Sequence, residues 1–409
     1  MQATVKKSIA AAANWGNETT YTPNNWYFIA SPFNSLTSVT GLNTTGDAGD
    51  YDLYLYDGSK AEPWQNYKAH SIDFTFGNGK GYLYASEKGT TIEFNGTTKT
   101  YDATYGVPVV AGWNLVGNPY TFDAYASVSY YAMNAEGTGI TANTVATSTS
   151  VKPCTGIVIN AAENGSVKFY NEAPGSANNG NIELILAEAV TTRGGVSTLR
   201  QAQGSTTTID NAIVSFNEGN RLEKFYFGSP AANIYIPRGT EEYAIVSAEA
   251  QGEMPINFRA AKDGEYTLTV NAENVEMNYL HLIDNLTGAD IDLLAANGGD
   301  ARIDSVESSI CVSTYTFTAK TTDYASRFRL VFGAQQNGAS TSSATFAFVC
   351  NGQIIVNGEG TVQVVDMTGR VMISKDGVRS ISTVGLKPGV YMMRLIDANG
   401  TRVQKIVIE

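Results

Sequence analysis

The chain has 409 residues and a formal net charge of -12; 11% of its residues are aromatic, led by 23 Tyr, and only 16% are charged. That charge argues against nucleic acid or anionic lipid as a partner, because such binding rests on Lys and Arg displacing counterions. No run approaches the roughly 18 apolar residues that cross a bilayer, and the length is enough for two to four domains.

The Tyr-rich, charge-poor composition with 40 Gly predicts an all-β, multi-domain chain of β-sandwiches. Aromatic residues suit pleated, half-buried surfaces, and Gly, Asn, Asp and Ser supply the turns. At the N-terminus Lys6 and Lys7 precede only the apolar stretch Ile9 to Ala13, too short for the core of a signal peptide. The expectation is a fragment whose export signal lies upstream, and a catalytic domain could lie there too.

The first recognisable element is an internal repeat. Asn25-WYFIASPF aligns with Gly112-WNLVGNPY, and downstream Gly81-YLYAS and its hairpin align with Gly156-IVINA and its hairpin. Trp26 and Trp113 read as core anchors, and Pro32 and Pro119 end their strands because Pro donates nothing to a ladder. The first domain is placed at residues 15–175.

Within it, the segment Asp50 to Lys60 alternates so that Tyr51, Leu53 and Leu55 share one face and Asp52, Tyr54 and Tyr56 the other. The first face is expected to be core and the second wet. Interleaved acids and tyrosines make calcium, through oxygen ligands, or a stacked sugar ring candidates here, with Tyr54 and Tyr56 as candidate ligand-binding residues. Trp64, after Pro63 in an expected loop, is the candidate exposed aromatic for stacking on a carbohydrate.

Beyond this, chemistry is sparse. His70 and His281 have no HExxH or Cys partners. Gly77-Asn-Gly79-Lys-Gly81 lacks phosphate-loop spacing and reads as a hairpin, and no GxSxG elbow occurs. Cys154, Cys311 and Cys350 show neither a disulfide framework nor CxxC spacing. A carboxylate pair for glycoside hydrolysis stays open, because such pairs are set by separation in space. The expectation is a protein that is not an enzyme and that has no cofactor, calcium aside.

The Asn171 to Gly180 cluster reads as a linker. After it, Tyr266, Leu268 and Val270 share a face, as do Tyr315 and Phe317, and as do Phe328, Leu330 and Phe332 opposite Arg327 and Arg329. This alternation predicts half-buried antiparallel strands in a second β-sandwich over residues 180–335. Ile182 to Ala189 is the interior stretch that a helix could claim. A second linker, Ala334 to Ala344, leaves a small last domain at residues 345–409.

In that domain Ile354 and Val356 form one strand and Val362 and Val364 another, while Thr368-Gly369 turns the chain into Arg370. Lys387-Pro388-Gly389 turns it again after Leu386, and Asn399-Gly400 sets a tight hairpin. Five or more strands in so short a stretch predict a small Ig-like sandwich.

Three motifs stand in order here: Asp366-x-x-Gly369-Arg370, then Leu386-x-x-Gly389-x-Tyr391, then a closing strand with Lys405. Together they resemble the type IX (Por) secretion C-terminal sorting domain of Bacteroidetes, and residues 180–335 resemble the β-sandwich module that often precedes it. The resemblance implies an extracellular or outer-membrane surface location, with the type IX translocon and a sortase as partners. A host or cell-surface glycan or protein is the expected further partner. The functional expectation is a non-catalytic surface protein for adhesion or structural display. Two alternatives stand beside it: the accessory C-terminal region of a larger secreted enzyme, and a carbohydrate-binding module in residues 15–175.

Overall fold

A computed structural model describes residues 1–12, 25–42, 51–70, 75–135, 137–145, 149–173, 180–188, 208–227, 231–249, 252–275, 279–293, 310–333, 347–350, 353–356, 360–378, 380–397 and 400–408. The chain is all-β; among the described residues the one helix is the single turn Tyr67–His70. It divides into two units, Met1–Ala334 and Gln335–Glu409. Most of the Asn171 to Gly180 linker and all of Ala334 to Ala344 lie outside the described residues.

In the first unit, Tyr27–Ala30 pairs antiparallel with Gly81–Ser86, and Gly112–Gly117 with Gly156–Ala161. Their registers are equivalent: Phe28 faces Leu83 in one pair, and Leu115 faces Val158 in the other. Each pair belongs to a four-stranded sheet, and the following strand, Thr90–Thr98 or Gly165–Tyr170, joins a separate three-stranded sheet. Two small sandwiches result, one cored by Phe33, Tyr82, Tyr84 and Phe94, the other by Tyr120, Ile157, Val167 and Phe169. They touch at Gly117, where a Cβ would come within 2.0 Å of the Ala30 Cβ. Only a residue without a side chain permits that approach.

The rest of this unit is an 11-stranded sheet that runs from Ala289–Asp292 at one edge to Ile310–Ala319 at the other. The sheet closes over one core, in which the Phe258 and Phe317 rings lie 5.2 Å apart and the Phe317 and Phe328 rings 5.0 Å apart. Tyr266, Leu268, Val270, Phe328, Leu330 and Phe332 are all buried there, as their alternation predicts. Ile182 to Glu188, open to a helix by sequence, lies in the strand Asn181–Glu188. Thr208–Ser215 and Gly264–Glu273 flank it and take up its backbone groups, so tertiary pairing overrides local preference.

The arginine face of Phe328–Gly333 and the residue before it is buried too, contrary to its half-buried reading. The Arg327 guanidinium, 1% exposed, donates to Asp284 at 2.9 Å and to the Thr318 carbonyl at 2.9 Å, and lies 4.4 Å from the Phe317 ring centre. A charge enters a core only when paired and hydrogen-bonded in this way.

The outer face of Thr208–Ser215 and Glu241–Ser247 is covered in its middle. Ile213, Ala244 and Ile245 pack there against Trp26, Phe28, Leu115 and Tyr131 from the two small sandwiches. Residues 15–175 and 180–335, read separately from sequence, therefore share an apolar layer within one unit.

The second unit is a two-sheet sandwich. Ala347–Cys350, Gln353–Val356 and Ser380–Ser382 form one sheet; Val371–Asp376, Thr361–Val365, Gly389–Asp397 and Gly400–Ile408 form the other in that order. Ile354, Val356, Val362, Val364, Met393 and Leu395 fill its core. Asp397 faces Gly400 across the last hairpin, and Asn399 lies outside the described residues.

Candidate functional site

The first motif is a turn held by its own acid. Asp366 Oδ1 accepts the Thr368 hydroxyl at 2.6 Å, the Thr368 N–H at 2.9 Å and the Arg370 N–H at 3.0 Å, while Arg370 Nε donates to Oδ2 at 3.3 Å. Gly369 has φ +87, a left-handed conformation that favours Gly, and its N–H closes the turn on the Asp366 carbonyl at 3.0 Å. The Thr368 hydroxyl, followed by the Arg370 N–H, holds the Asp366 carboxyl below its usual range.

The second motif also turns inward. Leu386 and Tyr391 pack on the core, and the Tyr391 hydroxyl donates to the Lys387 carbonyl at 2.9 Å, tying the strand to the turn before it. Gly389 starts that strand at φ +154. Lys405 differs: it is exposed, opposite Met392 on the outer face of the sheet. Of the seven motif residues, Lys405 and the Arg370 guanidinium, 71% exposed, present the most charge to solvent, while the Asp366 carboxylate, 21% exposed, is taken up by its own turn.

Tyr54, Tyr56 and Trp64 are brought together, but not as an open platform. Trp64 begins the strand Trp64–Asn66 rather than lying in a loop, and its ring stands edge-on, 4.9 Å from Tyr56 and 6.1 Å from Phe227. Tyr54 stands edge-on to Trp26 at 5.9 Å. The face expected to be wet is half-buried because Phe225 and Phe227, from the second half of the unit, cover it. Trp26 is buried as expected, whereas Trp113 is half-buried, 4.7 Å from Phe225. Phe225 and Phe227 escaped the sequence reading; the alternating aromatics of Lys224-FYF were the available signal.

Tyr56 does border a cleft of about 380 Å³ between the two small sandwiches, together with Asp57, Lys80, Val110 and Trp113; Tyr54 and Trp64 are not in its lining. Asp52 is bound by Lys68 at 3.0 Å, and Asp57 Oδ1 accepts the Ser59 N–H at 3.0 Å, so neighbours engage two of the three acids considered for calcium, and the third, Asp50, lies outside the described residues. His281 Nδ1 lies 2.7 Å from Asp290, with its ring stacked on Tyr279; the His70 side chain lies outside the described residues. Cys154 is sealed in the first sandwich at φ +58, and burial pushes its thiol up to about 12.

The second unit, with its own core and with motifs built into its turns, defines a small β-sandwich address module on an all-β chain. Residues 349–409 match the family model of the secretion system C-terminal sorting domain. The chain is thus a substrate of the type IX secretion system, exported to the extracellular space or the cell surface. No curated protein matches the chain. Among the described residues no helix is long and apolar enough to cross a membrane.

Proposed function

We propose that the exported chain is a non-catalytic surface protein whose first unit serves adhesion or structural display. The observation that supports this reading is the aromatic layer of Trp26, Phe28, Trp113, Tyr131 and Phe225, which joins both small sandwiches to the large sheet. A continuous core carries load from one part to the next, as a display scaffold requires. As the accessory region of a larger secreted enzyme, the same unit would do the same mechanical work. The test is attachment of cells that display the chain to host cells and matrix proteins, beside cells lacking it. Equal attachment, or turnover of glycan or peptide substrates by the purified chain, would sink the reading.

A saccharide ligand is a second reading, favoured by the cleft between Tyr56 and Trp113 with Asp57 and Lys80 in its lining. Its size lies within the range of small-ligand sites, and its mix of aromatic wall and few polar groups is typical of them. Glycan-array binding weakened by Lys80→Ala is the expected result; a parent chain that binds no glycan counts against it.

A further inference from the structure

Exposed apolar side chains are concentrated in the second unit. Among the described residues eleven large hydrophobic side chains are exposed, and six of them, Met367, Val371, Val384, Ile396, Val403 and Val407, lie in this unit, which is under a fifth of the chain. Scattered exposure is ordinary on a protein surface, but clustering marks an interaction site.

The strand register gathers half of these on one face. Along Gly389–Asp397, Tyr391, Met393 and Leu395 point into the core, so Val390, Met392, Arg394 and Ile396 point out. Their partners on Gly400–Ile408 are Val407, Lys405, Val403 and Thr401. The face therefore mixes apolar side chains with two cations, Arg394 and Lys405, and its two strands present no carboxylate there among the described side chains. On a chain of net charge -12, such a patch runs against the general balance. The motif residues, by contrast, are mostly engaged in turns and core, which leaves this face as the readable surface.

We propose that the outer face of Gly389–Asp397 and Gly400–Ile408 is where the exported chain docks on its translocation machinery, and that the partner protein offers an apolar surface flanked by carboxylates. The inference rests on the export role given by the family match. Charge complementarity selects this occupant. Isologous pairing with a second copy would set Arg394 and Lys405 against the same cations. Two cations are also too few for an anionic lipid surface, where recognition uses clusters of about four to eight.

The experiment displays the full chain from a type IX-competent bacterium and measures the protease-accessible fraction on intact cells. Arg394→Glu with Lys405→Glu should cut surface display by about tenfold or more, as reversing charges in a docked interface does. Arg394→Lys with Lys405→Arg should leave it unchanged. Val403→Ser with Val407→Ser, which keeps the charges, should also reduce it, and Lys60→Glu on the first unit should not. Thermal midpoints of the purified proteins separate loss of docking from loss of fold. Normal display of both the Glu and the Ser variants would overturn the proposal, while retention of a chain lacking residues 347–408 would leave the export role standing. Display of that truncated chain would remove the export role and the proposal together. Binding of the parent to phosphatidylglycerol vesicles, or its self-association, abolished by the Glu pair, would overturn the choice of a protein partner.

Discussion

The side-chain amide of Gln404 pairs with both backbone groups of Ala347: Oε1 accepts the Ala347 N–H at 2.8 Å, and Nε2 donates to the Ala347 carbonyl. Ala347 is fully buried, so one side chain imitates a missing strand neighbour and stitches Ala347–Cys350 to Gly400–Ile408. Gln404→Ala should leave two buried groups unpaired and lower stability by about 1–3 kcal/mol. Calorimetry of the full chain should show the second unit melting earlier, with Gln404→Glu no better than the Ala variant at neutral pH, because its carboxylate sets an acceptor against the Ala347 carbonyl. Identical midpoints for all three proteins would mean that the clamp contributes nothing.

The Asp366 turn carries a pH dependence of known sign. Its folded carboxyl titrates below the ordinary value, chiefly through the Thr368 hydroxyl; the unfolded value is about 3.9. The stabilisation is therefore fully present above the unfolded pKa and is lost as pH falls through the folded one. Asp366→Asn should be less stable than the parent at neutral pH, and denaturant melts should converge in acid. A gap that stays constant from neutral to acid pH contradicts this.

Gly117 sits where the two small sandwiches touch, with its virtual Cβ 2.0 Å from the Ala30 Cβ. Gly117→Ala should destabilise the first unit by about 1–3 kcal/mol through overpacking. Adding Ala30→Gly should restore part of the loss, because the clash is between two methyl groups. Denaturant unfolding of the single and double variants measures both effects.

The buried Arg327 and Asp284 side chains, 1% and 0% exposed, form a pair that neither can leave alone. Arg327→Met strands an uncompensated carboxylate, with an expected cost of about 3–5 kcal/mol. Arg327→Met combined with Asp284→Leu should recover much of that loss, since an apolar pair of similar volume needs no desolvation of charge. A double variant no better than the single one would place the effect in packing against Phe317 and Phe328 instead.

Much of the strand content was legible because alternation is local: Tyr266, Leu268 and Val270 declare their face without reference to anything distant. The Asp366 turn was legible for the same reason, since every group that it bonds lies within four residues. What covers a face was not. Tyr54 and Tyr56 read as wet because Asp52 shares their side, while their cover, Phe225 and Phe227, comes from far along the chain. Trp64 was misplaced in a loop because Pro63 precedes it and its strand is only 3 residues long. Arg327 read as a solvent-facing residue because sequence periodicity cannot register Asp284 beneath it.

Cys154 turns the first sandwich into its own reporter. Its sulfur is inaccessible and, with the proton held so firmly, unreactive while the fold is shut. Alkylation of this one thiol, followed by peptide mapping, will therefore clock how often the sandwich breathes open, with no dye or tag attached to the molecule.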